Sequence, residues 1–176
     1  MTNDKFQTYI KTENGTIHFE EYFVKRQFRD EVLGVEFLGS EKAKPAPGVL
    51  LALLEAEAVV VCPSNPIVSI GTILAVEGVR DALKQTKARV VGVSPIVGGV
   101  PIKGPADKLM RGLGFEVSAF GVAKLYSDFL DAFVIDSIDA GEESQIEQLG
   151  IDVTVASTVM KSLEDKVALA KTTLNA

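Results

Sequence analysis

AVVVCPSNPIVSIGTILAVEGVRDALKQT, residues 58–86, decides the fold. Residues 58–61 are a continuous apolar run, the pattern of a parallel strand buried on both faces. Pro63, Ser64, Asn65 and Pro66 then turn the chain. Ile73, Val76, Val79 and Leu83 recur at helical spacing, which predicts one helix over 72–86. Strand, loop and helix in that order form the repeating unit of an α/β protein.

The same unit recurs downstream. Strands are predicted at 88–95, 116–120, 132–138 and 153–157, and helices at 106–114, 122–130, 142–150 and 163–174. Upstream the rhythm differs. Residues 6–24 alternate around Asn14-Gly15, a strong hairpin signal, and 32–38 read as a further strand. EKAKPAP (41–47) breaks the pattern and opens a helix with apolar residues at 49, 50, 53 and 54. The expected fold is α/β and Rossmann-like: a mainly parallel sheet with helices on both faces, preceded by an N-terminal β-hairpin region. Residues 1–40 form that hairpin region and 41–176 the Rossmann-like part, together one domain. Ligands of such sheets bind beyond the carboxyl ends of the strands, near a switch in strand order.

Composition narrows the function. The 176 residues carry a net charge of −6, so no broad positive field would hold a nucleic-acid polymer. The single cysteine, Cys62, excludes an internal disulfide framework. No apolar run approaches the ~20 residues of a membrane span, and the first ten residues carry no apolar signal core. A cytoplasmic protein is expected.

Two loops stand where a ligand would sit. The first contributes Ser64, Asn65, Pro66, Ser69 and Gly71. The second, VSPIVGG (93–99), contributes Ser94, Pro95, Gly98 and Gly99, and PIKGPADK adds Lys103, Gly104, Pro105 and Lys108. Helix amino termini favour anions, hydroxyls and amides donate hydrogen bonds, and a lysine adds a cation. One shared phosphate site is expected. The bland account is that serine and asparagine cap helices while glycine and proline punctuate turns. Neither GxGxxG nor GxxxxGK[ST] is present.

Other candidates are weaker. His18 falls on the polar side of a hairpin strand, and without it Cys62 and the serines have no base. Asp128, Asp131, Asp136 and Asp139 form an acidic series. Asp136 and Asp139 bracket a strand end on the presumed ligand edge and could hold Mg2+, although aspartates there more often cap helices. Lys25, Arg26 and Arg29 read as a solvated face, with a phosphate clamp as the alternative.

At these loops the chain resembles a known family. CPSNPIVSIGTILAVEGVRDAL, VVGVSPIVGGVPIKGPADKLM, LGFEVSAFGVAKLYSDFLDAFVID and EEYFVKR are similar to the 2-phospho-L-lactate transferases of coenzyme F(420) biosynthesis. The resemblance covers essentially the whole chain. It implies transfer of a 2-phospho-L-lactate group, or a related phosphoenolpyruvate- or glycerate-derived group. The donor is the guanosine diphosphate adduct, the acceptor is the deazaflavin Fo, and GMP leaves. It also implies Mg2+ and a homo-oligomer. Family members are much longer, so this chain is expected to match their C-terminal part. The glycine-rich first loop and an aspartate segment serving deazaflavin and metal would then lie outside it. Thr72 replaces the proline that usually follows SIG. The alternatives are a non-catalytic nucleotide- or nucleotide-sugar-binding regulator of related fold, or an inactive fragment needing a partner chain.

Overall fold

The computed structural model describes residues 1–176. Three antiparallel strands come first: β1 (Gln7–Thr12), β2 (Gly15–His18) and β3 (Val32–Leu38), in the order β2-β1-β3. Thr12 pairs with Gly15, so the turn residues are Glu13 and Asn14, one position earlier than expected. Gly15 has φ +109°, where a side chain is disfavoured. The Thr12 hydroxyl donates to the Gly15 carbonyl (2.9 Å) and accepts the Asn14 amide (3.2 Å), closing the turn.

Tyr22 and Phe23 do not continue the strand pattern. Glu21–Lys25 winds into a single π-helical turn. Winding sends neighbouring side chains in different directions: Tyr22 is fully buried, while Phe23 stays 39% exposed. The Tyr22 hydroxyl has no hydrogen-bond partner. Its pKa is pushed up to about 12, chiefly by burial, with Asp107, Glu31 and Asp30 adding to it.

The α/β part begins with α1 (Val49–Leu54) and β4 (Ala58–Val61). A π-helical turn at Pro66–Ile70 runs into α2 (Gly71–Leu74), and α3 (Val79–Gln85) follows. The single helix expected over 72–86 is therefore broken, and Gly78 at φ +76° makes the break. Next come β5 (Arg89–Val93) and a small hairpin of β6 (Ile96–Val97) and β7 (Val100–Pro101). Helices α4 (Ala106–Gly112) and α5 (Ala119–Tyr126) lead to β8 (Ala132–Asp136). No strand forms at 116–120. The Ser118 hydroxyl accepts the Gly121 amide (2.9 Å), so local capping starts α5 there instead. A 3-10 turn (Ser137–Glu142), α6 (Glu143–Glu147), β9 (Asp152–Ala156) and α7 (Leu163–Asn175) complete the fold.

β4, β5, β8 and β9 form one parallel sheet in that order. The order follows the chain without reversal, so the expected switch point does not occur within these four strands. Side chains alternate across the sheet. Val90, Phe133 and Ile135 face the main core with α4, α5 and α6. Val91, Val93, Ala132 and Val134 face Leu169 of α7. Both faces are thus covered. Ile10, Tyr22 and Val32 of the antiparallel region share the main core with Leu109 and Met110 of α4. At Gly112 a Cβ would overlap the Val32 carbonyl oxygen, so only glycine lets α4 lie this close to β3.

Candidate functional site

A cavity of about 650 Å3 opens at the carboxyl ends of β4, β5 and β9. Each wall has its own local cause. After β4, Pro63, Ser64 and Asn65 enter the cavity, followed by Val68 and Ser69 of the π-helical turn. The Asn65 side-chain oxygen accepts the amides of Ile67 (2.9 Å) and Val68 (3.1 Å). The helix end is therefore capped from within, as the bland account held, and those two amides are not open to an anion. The Asn65 side-chain nitrogen has no partner within the protein.

After β5, Ser94 and Pro95 reach the cavity. Ser94 is 2% exposed, and its hydroxyl donates to the Ile96 carbonyl (2.8 Å) while accepting the Ile96 amide (3.2 Å). It shapes the turn and has no free donor. Pro101, Ile102, Lys103 and Gly104 follow along the rim, with Pro105 and Ala106 at the start of α4. No side chain caps that helix.

The third wall comes from the loop after β9: Thr158, Val159 and Met160, with Lys166 from the first turns of α7. Asp136, at the end of β8, holds this loop by accepting the Thr158 amide and hydroxyl. The fourth wall is aromatic, Phe19 and Phe23, stacked with ring centroids 5.6 Å apart.

Eight of the residues expected from the sequence therefore meet: Ser64, Asn65, Ser69, Ser94, Pro95, Lys103, Gly104 and Pro105. Lys108 stays outside and donates to the Arg29 carbonyl (3.4 Å). Pro66 and Gly71 line a separate, largely apolar groove instead. Gly71 is packed against the Pro66 carbonyl oxygen, 3.0 Å from where its Cβ would be. Gly98 and Gly99 sit at the β6–β7 hairpin tip with φ +60° and +74°, outside the cavity. Asp139 accepts the Gly98 amide on both oxygens (2.9 and 3.1 Å) and pins that tip. Phe19, Phe23, Thr158 and Lys166 were missed. Phe23 lies within EEYFVKR, one of the stretches that carry the resemblance, without being marked there as a site residue. The other three have no local signal, because they arrive from the antiparallel region and from the far edge of the sheet.

The charge pattern in the cavity is simple. Lys103 and Lys166 line it, neither forms an ion pair, and no carboxylate joins them. Mg2+ takes oxygen ligands, usually one or two carboxylates beside phosphates. The acidic series does not supply them. Asp136 and Asp139 hold backbone amides. Asp131 accepts the Val90 amide (2.7 Å), and Asp128 pairs with Arg80 and Lys84 (2.8 Å each). That pairing, Arg80 first, holds Asp128 far below the usual carboxylate range. The cavity does not fit a metal ion carried on this chain's own carboxylates.

His18 accepts the Glu20 amide and packs edge-on against Tyr9, outside the cavity. Cys62 is exposed and does not line the cavity. Lys25 and Arg26 pair with Glu21, and Arg26 also with Asp30. With Arg29 they surround a separate polar hollow. No helix is long and apolar enough to cross a membrane.

Comparison with known proteins gives a consistent picture. The family described as 2-phospho-L-lactate transferase CofD matches residues 1–171. A 2-phospho-L-lactate transferase of Methanosarcina barkeri is 44% identical over 171 residues, covering 97% of this chain and 55% of the relative. A phosphoenolpyruvate transferase of Streptomyces griseus is 41% identical over 179 residues, covering 99% and 56%. The chain spans about half the length of the curated relatives it matches. In fold it is similar to a crystal structure of a UPF0052-family protein from Bacillus halodurans. The TM-score is 0.67 at 16% identity, over 96% of this chain and 59% of that one.

Proposed function

The chain belongs to the 2-phospho-L-lactate transferase CofD family, and from that premise we propose that its cavity binds the phosphates of a guanosine-diphosphate-linked three-carbon donor in coenzyme F(420) biosynthesis. One observation carries the reading: Lys103 and Lys166, both without ion-pair partners, share a cavity with the Ser64-Asn65 and Ser69 donors. A diphosphate brings two negative charges or more and many acceptor oxygens. The cavity offers cations and donors and no carboxylate to repel it.

In the proposed reaction a hydroxyl oxygen of Fo bonds to the phosphorus that carries the three-carbon group. The bond from that phosphorus to the bridging oxygen breaks, GMP leaves with the oxygen, and the hydroxyl proton goes to solvent. Such transfers need positioning and charge neutralisation more than a protein nucleophile. Lysines at the diphosphate would stabilise the charge gathering on the leaving GMP. Mg2+, where it takes part, would be held by groups outside this cavity. The three-carbon group is 2-phospho-L-lactate or its phosphoenolpyruvate counterpart, as the names of the two relatives suggest.

The test is calorimetric titration with GDP. Lys103→Ala and Lys166→Ala should each weaken binding about tenfold, the size of one lost charge-assisted hydrogen bond at an exposed site. Unchanged affinity in both variants would sink the reading.

A second reading is nucleotide binding without turnover by this chain alone. It is favoured by the chain spanning about half the length of the curated relatives it matches. The chain would then bind GDP yet form the deazaflavin phosphodiester from donor, Fo and Mg2+ no faster than background. Product formation at a longer relative's rate would refute it.

A further inference from the structure

We infer that Phe23, backed by Phe19, is the ring-binding residue of the cavity, stacking against a planar heteroaromatic ring of a bound substrate. The inference rests on reading the cavity as a phosphate-ligand site and goes on to the part of the ligand that carries no phosphate.

Four features converge. Phe23 lines the cavity with 39% of its surface exposed, whereas its neighbour Tyr22 is fully buried. Both residues lie in the π-helical turn that follows β2. Phe19 stacks on Phe23 at 5.6 Å with 26° between the planes, and Phe28 packs on it at 5.8 Å, so the ring is braced by two other rings. Its edge lies over Gly104, 3.7 Å from where a Cβ would stand, directly beside Lys103. An apolar ring braced in the same cavity as Lys103 serves a ligand that joins a flat ring to a phosphate.

Stacking on an exposed aromatic face is tolerant of which base or ring is presented. Guanine and the deazaflavin ring of Fo offer the same chemistry, and the experiment separates them. Wild type, Phe23→Ala, Phe23→Leu and Phe23→Trp are titrated with GDP, with Fo and with inorganic diphosphate. Thermal unfolding of each variant checks the fold. Truncation and the leucine variant should each weaken one ring-bearing ligand about tenfold or more. Tryptophan should hold that ligand at least as well as wild type. Inorganic diphosphate, which has no ring, should bind all four proteins within about twofold. The ligand that loses affinity identifies the ring.

The inference is overturned if GDP and Fo bind Phe23→Ala as they bind wild type. It is overturned too if inorganic diphosphate weakens in step, since Phe23 would then only support the Lys103 loop. Loss in the alanine variant with full retention by leucine would reduce the role to bulk and also overturn it. Failure of inorganic diphosphate to bind wild type speaks against the phosphate reading, while the GDP and Fo arms still decide the aromatic one. If neither ring-bearing ligand binds wild type, both readings fall.

Discussion

The Asp136 carboxylate accepts hydrogen bonds from both the amide (2.8 Å) and the hydroxyl (2.9 Å) of Thr158, and so ties the end of β8 to the loop after β9. Asp136 is 5% exposed. Burial pushes its pKa up, but hydrogen bonds from Thr158 and Ile138 outweigh that and hold it below the usual value. A lowered carboxylate adds stability above its unfolded pKa of about 4, and that stability is lost as pH falls further.

Asp136→Asn should therefore destabilise the protein by ~1.5–3 kcal/mol at neutral pH, the cost of losing charged acceptors. Part of the acid sensitivity below pH ~4 should go with it. Denaturant unfolding at pH 7 and at low pH checks both statements. Loosening the Thr158 loop should also weaken GDP binding, although Asp136 itself does not line the cavity.

Asp139 has the opposite sign. Burial raises its pKa, the Gly98 amide lowers it, and Asp136 raises it further, for a net upward shift. A raised carboxylate leaves its stabilisation intact below the unfolded pKa of about 4, and the stabilisation is lost as pH rises through the folded value. Asparagine can still accept the Gly98 amide without carrying the charge. Asp139→Asn should then lose less stability than wild type on going from pH ~4 to neutral, as read from Tm against pH. A parallel pair of curves would contradict this.

Gly112→Ala should destabilise the protein by ~1–3 kcal/mol, because the added methyl meets backbone and has no flexible side chain to push aside. Gly114, where a Cβ meets nothing within 4 Å, is the control for space. Its φ of +77° still predicts a smaller loss, of ~1 kcal/mol. Chemical denaturation should rank Gly112→Ala as the worse of the two.

β4 is an open edge of the parallel sheet. Val60 is exposed on the strand, and Leu51 and Leu54 are exposed on α1. An unpaired edge together with exposed apolar side chains favours association. Light scattering at high micromolar concentration should give a dimer or larger species, and Val60→Lys should shift it toward monomer. A wild-type monomer at that concentration would count against a homo-oligomer.

The parallel strands were legible from their apolar runs: 132–135 are apolar and buried on both faces as expected, whereas 58–61 are apolar but form the sheet edge, where Ala58 and Val60 are exposed. The loops after β4 and β5 were legible because their turn formers follow such runs. Residues 116–120 misled, since an apolar alternation there competes with a serine cap that only the fold reveals. Gly98 and Gly99 suggested close approach to a ligand, but their freedom is used by a two-residue hairpin turn. Lys166 carries no sequence signal at all. It follows an ordinary capping box on a helix whose place beside the cavity depends on the order of the strands. A strand reading misplaces Phe23, which lies in a π-helical turn and lines the cavity with Phe19.

Asn65 has a consequence of its own. Its oxygen is engaged by two amides of its own helix, so the only polarity it can show a ligand is that of its nitrogen. The position is a one-way contact, able to give a hydrogen and unable to accept one. Aspartate has the same shape and caps a helix equally well. Asn65→Asp should leave the melting temperature nearly unchanged while presenting an oxygen where a hydrogen had been. An anion would then be repelled by a single exchange of nitrogen for oxygen, and the fold and the ligand would read the same substitution as two different events.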